Sequence, residues 1–130
     1  MSLIITNAGK QKALTCFVGK DTQQETLILK LYSNNYTPTI LDEVQSYTEV
    51  TGGGYASKSL VPSNWTIDAG LAGYPQQVWT FTGSSGSVYG YYVVSSTSNT
   101  LLFAEKFPNG PYTVSTSGDI IRVTVSLSLI

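Results

Sequence analysis

The side chains best suited to chemistry in this 130-residue chain are eight carboxylates and one thiol, because histidine is absent. Two carboxylates that converge on a sugar would make a glycosidase, but no spacing in the sequence indicates which two would meet. We therefore expect these acids to be solvated side chains of loops and strand edges. They are Asp21, Glu25, Asp42, Glu43, Glu49, Asp68, Glu105 and Asp119.

Other kinds of catalysis and metal binding lack the residues they need. A nucleophilic serine or cysteine is usually activated by a histidine, and Cys16 has no second cysteine for a disulfide or a zinc site. No alternation of acidic positions resembles a calcium loop, and no Gly-Lys-Ser/Thr follows the three glycines at 52–54. We predict no enzyme activity, catalytic residue, cofactor or metal, and we expect Cys16 to be a small buried apolar residue.

The nine tyrosines form a more informative set. Tyr89 and Tyr91 are predicted on one face of a tyrosine-rich strand, with Tyr92 on the other. Such rings pack across strands, contact a partner protein or stack on a sugar, and the sequence leaves these three interpretations open. For a protein interface, the candidates from this strand and from the loops are Tyr36, Pro38, Tyr55, Tyr74, Tyr89 and Tyr91.

Only one segment has a helical pattern, and it predicts a short amphipathic helix over 8–18. Asn7 is a suitable N-cap, and Gly19 is a suitable residue to end the helix. The apolar side chains recur at helical spacing and should share one face. They are Ala13, Leu14, Phe17 and Val18.

The rest of the chain is rich in β-forming runs at spacings of about ten residues, which is typical of a sandwich or barrel. The run 26–32 is apolar on both faces and should be covered on both sides, whereas 120–129 alternates apolar and polar residues. The stretch 68–75 is predicted to be a loop. The predicted strands are 26–32, 46–50, 55–60, 64–67, 77–82, 88–95, 101–107, 112–115 and 120–129. The predicted core comprises Leu29, Leu31, Trp79, Phe81, Val94, Phe103, Val123, Val125 and Leu127.

These patterns predict an all-β fold, an antiparallel β-sandwich of jelly-roll type with one short N-terminal helix. We expect a single domain over 1–130, with a helical arm at 1–25 and the sandwich at 26–130.

The composition points to a part of an assembly. Charged residues make up 12% of the chain, against about a quarter in ordinary soluble domains, and such a surface suits permanent contact with other protein. The net charge of −1 without a basic run argues against nucleic-acid binding. No apolar run approaches the roughly 18 residues of a membrane span, and the first residues lack the features of a signal peptide.

Several stretches, taken together and in this order, resemble small structural proteins of tailed-phage virions. They are LKLYSNNYTP at 29–38, YTEV at 47–50, GYA at 54–56, VYGYYVV at 88–94, LLFAEKF at 101–107, GPY at 110–112 and GD at 118–119.

This resemblance implies a capsid cement or decoration protein. Such a protein, made in the host cytoplasm, would sit on the outer capsid surface of the virion and stabilise contacts between subunits of the major capsid protein, its partner. We expect self-association as a homodimer or homotrimer and no binding to nucleic acid or membrane. The expected contact elements are the helix and the loops 36–42, 52–55 and 68–75. The alternative is a receptor- or carbohydrate-binding module of a phage tail or fibre.

Overall fold

The computed structural model describes residues 3–19 and 25–128. Within these residues the chain forms one α-helix and twelve strands, and every strand pairing is antiparallel. The predicted all-β class with one short helix is therefore confirmed. The elements are β1 Ile4–Ile5, α1 Asn7–Phe17, β2 Leu27–Tyr32, β3 Lys58–Leu60, β4 Thr66–Asp68, β5 Leu71–Gly73, β6 Gln77–Thr80, β7 Gly86–Val88, β8 Gly90–Ser95, β9 Leu101–Lys106, β10 Tyr112–Val114, β11 Ile120–Val123 and β12 Ser126–Ser128.

The largest sheet has five strands in the order β1-β9-β8-β2-β3. Its central strand β8 pairs with β2, with Leu29 opposite Val93 and Leu31 opposite Tyr91. Along β2, Leu29 and Leu31 are buried on one face while Tyr32 is buried on the other. The prediction of a strand covered on both faces is thus confirmed.

Three smaller sheets, β10-β7, β11-β6 and β12-β5-β4, supply the rest of the main core. The main core contains side chains from the large sheet together with side chains from the smaller ones. Of the predicted core, Leu127 is only partly buried against this cluster, and Val94 is buried on the opposite face of the large sheet. The main cluster comprises Leu29, Leu31, Val50, Leu60, Tyr74, Trp79, Phe81, Val88, Tyr91, Val93, Leu102, Phe103, Val114, Ile121, Val123 and Val125.

A second, tyrosine-rich cluster covers the opposite face of the large sheet. The ring of Tyr47 lies 4.8 Å from that of Tyr32 and 5.0 Å from that of Tyr92, measured between centroids. Tyr36 and Val44 pack against the same cluster. The segment that contains them therefore acts as the cover of this face.

The structure corrects the predicted phase of the tyrosine-rich strand. Tyr89 lies between β7 and β8, and Gly90 is the first residue of β8. Tyr89 packs against the second cluster while Tyr91 lies in the main core, so the two do not share a face. Gly90 allows β8 to lie close to its neighbour, because a Cβ there would overlap the carbonyl oxygen of Glu105.

Other boundaries also differ from the predictions. The predicted strand 46–50 is instead a 3₁₀ turn at Val44–Ser46 followed by a single bridge at Glu49. The predicted loop 68–75 contains β5. The predicted strand 120–129 is two strands, because β11 pairs with β6 and β12 pairs with β5; its last residue lies outside the described residues.

Candidate functional site

Helix α1 is fixed to the large sheet by its first turn. Thr6 is the N-cap: its hydroxyl accepts a hydrogen bond from the amide of Gly9 at 3.0 Å and donates one to the carbonyl of Leu101 at 2.7 Å. The Thr6 amide donates to the carbonyl of Leu102 at 3.0 Å. Asn7, predicted as the cap, is the first helical residue instead, and a buried threonine takes the capping role by also binding β9.

Gly9 lets the helix approach β9 closely. A Cβ at this position would overlap the carbonyl oxygen of Leu102. Ala13 and Cys16 follow four and seven residues later, so they continue the side of the helix that faces the body. The helix therefore contacts the rest of the chain along small residues rather than through its large apolar ones.

The second half of α1 leaves large apolar side chains in solvent. Leu14, Phe17 and Val18 are 63%, 87% and 65% exposed. The predicted apolar face is thus mostly uncovered, and the prediction that Cys16 is buried is wrong. Gly19 ends the helix with φ +77°, as predicted.

One ion pair ties the middle of α1 to the sheet. The Lys12 ammonium lies 3.0 Å from the carboxylate of Glu25, which also accepts hydrogen bonds from the hydroxyls of Ser95 and Thr97. Burial raises the pKa of Glu25, but the hydrogen bond from Ser95 and the charge of Lys12 outweigh it, so the pKa lies below its ordinary value. Glu25 is therefore a structural link and not the solvated acid that we expected.

The β4–β5 hairpin forms the wall opposite the helix. Its turn residues Ala69 and Gly70 have φ +50° and +81°, the positive values that a two-residue type I′ turn requires. Across the three-stranded sheet, Ala72 is opposite both Ile67 on β4 and Leu127 on β12. This row becomes less covered towards the edge, because Leu127 is partly buried whereas Ile67 is 79% exposed.

An apolar groove of about 430 Å³ lies between α1 and this row. Ala13 and Cys16 line it from the helix, and Trp65 and Phe103 contribute aromatic rings. Its two charged lining residues are Lys12 and Glu25, which neutralise each other. The groove therefore offers an apolar recess for another side chain.

Three of the six interface residues predicted from the sequence are buried within the chain itself. Tyr74 and Tyr91 belong to the main core, and Pro38 is also buried. The hydroxyl of Tyr91 donates to Glu105 at 2.8 Å, and that of Tyr74 accepts from the amide of Val61 at 2.9 Å. Burial, followed by the contact with Glu105, raises the pKa of Tyr91. These rings have little surface to offer a partner.

The other three, Tyr36, Tyr55 and Tyr89, are half-buried. The hydroxyl of Tyr55 donates to Glu49 at 2.8 Å and accepts from the amide of Leu31 at 3.1 Å, so it holds the edge of the large sheet. None of the six predicted residues is among those that line the groove. A role in an interface stays a prediction for these residues. Any contact with a partner would have to use the exposed parts of Tyr36, Tyr55 and Tyr89.

Asp42 organises the cover of the tyrosine-rich cluster. Its carboxylate accepts hydrogen bonds from the hydroxyls of Tyr36 at 2.5 Å and Tyr47 at 2.7 Å, and from both the amide and the hydroxyl of Thr39. Burial raises the pKa of Asp42, but these hydrogen bonds outweigh it and hold the pKa below its ordinary value. Burial and the bond to Asp42 raise the pKa of Tyr47. Since each hydroxyl is engaged internally, the network fixes the fold of this segment.

Sequence reasoning missed the exposed residues around the groove. Ile67 was assigned to a strand and Phe17 to the apolar face of a helix. The helix was expected to be a contact element, but neither residue was named as a candidate. The sequence did contain one sign of this arrangement. Gly9 and Ala13 are small residues four positions apart, so they lie on one side of the helix and allow it to approach the sheet closely. Leu14 and Val18 are not on that side.

Three further findings bear on function. Among residues 3–19 and 25–128, no group of three His, Cys, Asp or Glu side chains could hold a metal ion, and no helix in those ranges is long and apolar enough to cross a membrane. The chain matched nothing when it was compared with protein-family models, curated proteins and solved structures. What the chain does must therefore be argued from its own surfaces and from the virion-protein resemblance in its sequence.

Proposed function

We propose that this chain is a virion structural protein, a capsid cement protein that binds the outer capsid surface as a homo-oligomer and links major capsid subunits. On this proposal the packed antiparallel sheets form a sandwich of jelly-roll type. The observation that carries the proposal is the exposure of large apolar side chains on separate elements of a chain with 12% charged residues. Exposed apolar patches with few charges are typical of protein contact sites.

These side chains form three patches, which we name by their location. The groove patch is Phe17 at the end of α1 and Ile67 of the β4–β5 hairpin, beside the groove. Leu14 and Val18 are exposed on the other side of the helix, and Leu71 is exposed on the other face of the hairpin. The loop patch is Ile40 and Leu41, the latter 77% exposed. The ribbon patch is Val78 and Ile120, which share the outer face of the β6–β11 ribbon. A protein that links neighbouring capsid subunits needs more than one contact surface, and this arrangement supplies several.

The placement of the aromatic rings favours a protein partner over a sugar. A carbohydrate site presents rings beside polar groups in one concave surface. Here most of the tyrosines and Trp79 point into the two cores, and the concave groove is apolar, with its two charges paired. We therefore favour the cement role over the receptor- or carbohydrate-binding alternative.

Two of the expected contact loops retain exposed apolar residues. The loop 36–42 carries the loop patch, and 68–75 includes Leu71, which is 50% exposed. The glycine turn at 52–54 is instead held against its own chain, because the carbonyls of Gly52 and Gly53 accept hydrogen bonds from Ser85 and Thr82. Because the remaining contacts use little charge, we expect binding to particles to tolerate salt.

The test compares phage particles with and without this protein. Particles that lack it should release DNA at lower temperature or on dilution into low ionic strength, and adding the purified chain should restore resistance. Leu41→Ser should restore less than wild type, whereas Thr113→Ser, at an exposed polar position, should restore as much. Equal resistance of the two kinds of particle would contradict the cement role, and labelled protein found only at the tail would favour the receptor-binding alternative.

A further inference from the structure

We infer that the outer face of the ribbon formed by β5, β6, β11 and β12, together with the end of β4, is a two-fold interface between two copies of this chain, in which Arg122 of each copy pairs with Asp68 of the other. The inference rests on the homo-oligomer of the proposed function and adds the surface, the symmetry and the charges that set the register. It starts from an exposed sheet face that carries one charge of each sign at opposite ends.

The four strands form one continuous antiparallel ribbon. Strand β12 pairs with β5, and β11 pairs with β6. Between the two paired stretches, the amide of Tyr74 donates a hydrogen bond to the carbonyl of Val125 at 3.1 Å. On the exposed side, the amide group of Gln76 donates to the hydroxyl of Thr124 at 3.3 Å. The outer face is therefore continuous from one pair of strands to the next.

This face is open to solvent along its length. From 120 to 128 the residues alternate, with odd-numbered side chains turned to the core or the groove and even-numbered ones exposed or partly exposed. At the hairpin, Leu71 lies opposite both Ser128 and Asp68, so the three share the outer face. We call this surface the outer strip. It comprises Ile120, Arg122, Thr124, Ser126 and Ser128 with the residues beside them on β5 and β6, and Asp68 of β4.

The two ends of the outer strip carry opposite charges that do not meet within one copy. Arg122 and Asp68 are both exposed, and neither makes an ion pair or a side-chain hydrogen bond within residues 3–19 and 25–128. Asp68 is level with residue 128, so the interval from 122 to 128 separates the two charges by about 20 Å of strand. Since the Debye length is about 8 Å at physiological ionic strength, one charge does not neutralise the other.

A face with a cation at one end and an anion at the other is complementary to itself. When a second copy lies on it with the strands reversed end for end, Arg122 of each copy comes over the end that holds Asp68 of the other, within reach of its long side chain. The same operation places apolar side chains that are level with these charges against each other, Leu71 of one copy on Val78 of the other. Two ion pairs and two apolar contacts then form together, as in an isologous interface.

The middle of the outer strip allows the two sheets to approach. Gly73, Thr124 and Ser126 lie between the charged ends, and none has a large side chain. Stacked sheets pack about 10 Å apart, with strand directions about 30° from each other. Small residues at the centre therefore let the longer side chains at both ends make contact.

The dimensions of the outer strip set the expected affinity. It is about 30 Å long and about 10–15 Å wide, from the rise and spacing of its strands. Such a footprint is at the small end of specific interfaces, so we expect a dissociation constant in the micromolar range.

The dimer leaves other surfaces for the capsid. It covers the ribbon patch of each copy, whereas the loop patch and the groove patch lie on other elements and stay exposed. Each dimer would thus present two sets of capsid-binding surfaces, which strengthens attachment through multivalency.

The experiment is sedimentation velocity of the purified full chain at concentrations that span the micromolar range. We expect wild type to approach the mass of a dimer of the 14.0 kDa chain. Arg122→Asp and Asp68→Arg each bring like charges together, so each should raise the dissociation constant at least about tenfold, a change of roughly 1.4 kcal/mol. The double variant Arg122→Asp/Asp68→Arg should restore dimerisation, because each ion pair forms again with its charges exchanged.

The control has the same change in net charge away from the outer strip. Lys10→Asp, at an exposed position of α1, should dimerise like wild type. Circular dichroism of every variant checks that the fold is retained.

A covalent test distinguishes a two-fold axis from a head-to-tail contact. Ser126 lies near the middle of the outer strip, where the axis passes, so this position should face itself across the dimer. In a Cys16→Ser background, a short bis-maleimide should join two copies of Ser126→Cys but not two copies of Thr113→Cys, at an exposed position of β10. A head-to-tail contact could also pair Arg122 with Asp68, but it would keep residue 126 of the two copies apart, and the absence of cross-linking in a dimer would overturn the two-fold axis.

The outcomes separate this inference from the proposed function. A wild type that stays monomeric through the micromolar range overturns the inference and the homo-oligomer, while capsid binding is measured separately on particles. A dimer that both charge reversals leave intact, or that the double variant does not restore, overturns the outer strip as the interface but keeps self-association. A monomer that loses its binding to particles in Arg122→Asp overturns the second copy as the partner and assigns the outer strip to the capsid protein.

Discussion

The five-stranded sheet and the three-stranded β12-β5-β4 sheet both carry apolar side chains, but the chain covers them to different extents. The large sheet is buried on both faces, by the smaller sheets on one side and by the segment around Tyr36 and Tyr47 on the other. The small sheet is covered near Leu127 and open near Ile67. The difference separates apolar surface that stabilises the fold from apolar surface that the described chain leaves exposed.

The largest effect that we expect is the difference in stability between two Phe→Ala variants, one in each region. Phe81→Ala should lower the free energy of unfolding by about 3–5 kcal/mol, because Phe81 is fully buried in the main core. Phe17→Ala should change it by no more than about 0.5 kcal/mol in the monomer, because its ring is in solvent. Urea denaturation at low protein concentration measures both. Similar losses in the two variants would show that Phe17 is covered within its own chain.

The cover over the second face of the large sheet should depend on Asp42. Asp42→Asn removes the charge that accepts hydrogen bonds from Tyr36, Tyr47 and Thr39, and we expect a loss of about 1–3 kcal/mol in unfolding free energy. Thr113→Ser serves as the control at an exposed position. An unchanged midpoint in urea would mean that the cover does not need the carboxylate.

The same residue should make stability depend on pH. The pKa of Asp42 in the folded chain lies below its ordinary value of 3.8, so the unfolded chain binds the proton more readily. Its contribution is fully present above pH 3.8 and is lost as the pH falls through the lower folded pKa. Unfolding free energies measured over this acidic range should fall less steeply in Asp42→Asn. The slope that remains should come from other carboxyls with lowered pKa values, Glu25 and Asp119.

The contrast between the two regions also explains what the sequence could predict. Alternation predicted Val123 and Val125 as buried, because a strand with one covered face has a period of two. It did not predict that this run divides between two sheets, because a change of pairing partner leaves the alternation intact.

The helix shows the other limit of sequence reasoning. Its apolar residues predicted one shared apolar face, but contact with β9 is set by how closely Gly9 can approach the carbonyl of Leu102. That approach is a property of the assembled sheet, which local periodicity does not contain. The groove could not be predicted for the same reason, since it lies between elements far apart in sequence.

A change at Gly9 should disturb the contact between α1 and β9. Gly9→Ala places a Cβ against the carbonyl oxygen of Leu102, so the helix must shift, and we expect a loss of about 1–3 kcal/mol in unfolding free energy. Ala8→Ser, at an exposed position one residue earlier, is the matched control. Equal stability of Gly9→Ala and wild type would contradict the tight contact between helix and sheet.

The smallest effect should come from the turn of the β4–β5 hairpin. Ala69 has φ +50°, a conformation that disfavours alanine and suits asparagine, and Asn-Gly is the preferred pair for this turn. Ala69→Asn should therefore raise the unfolding free energy by about 0.5–1 kcal/mol, as read from the melting temperature. Gly70→Ala, at φ +81°, should lower it. A loss of stability in Ala69→Asn would contradict the assigned turn.

The pairing of early strands with late ones has a consequence for synthesis on the ribosome. Strand β1 pairs with β9, and Ile4 lies opposite Ala104, so α1 leaves the ribosome long before the strand that receives Thr6 and Gly9. The helix is thus among the first segments made and among the last that can reach its place, an order that delays folding. The groove needs Leu127 as well. The groove is therefore incomplete on a nascent chain until β12 has emerged.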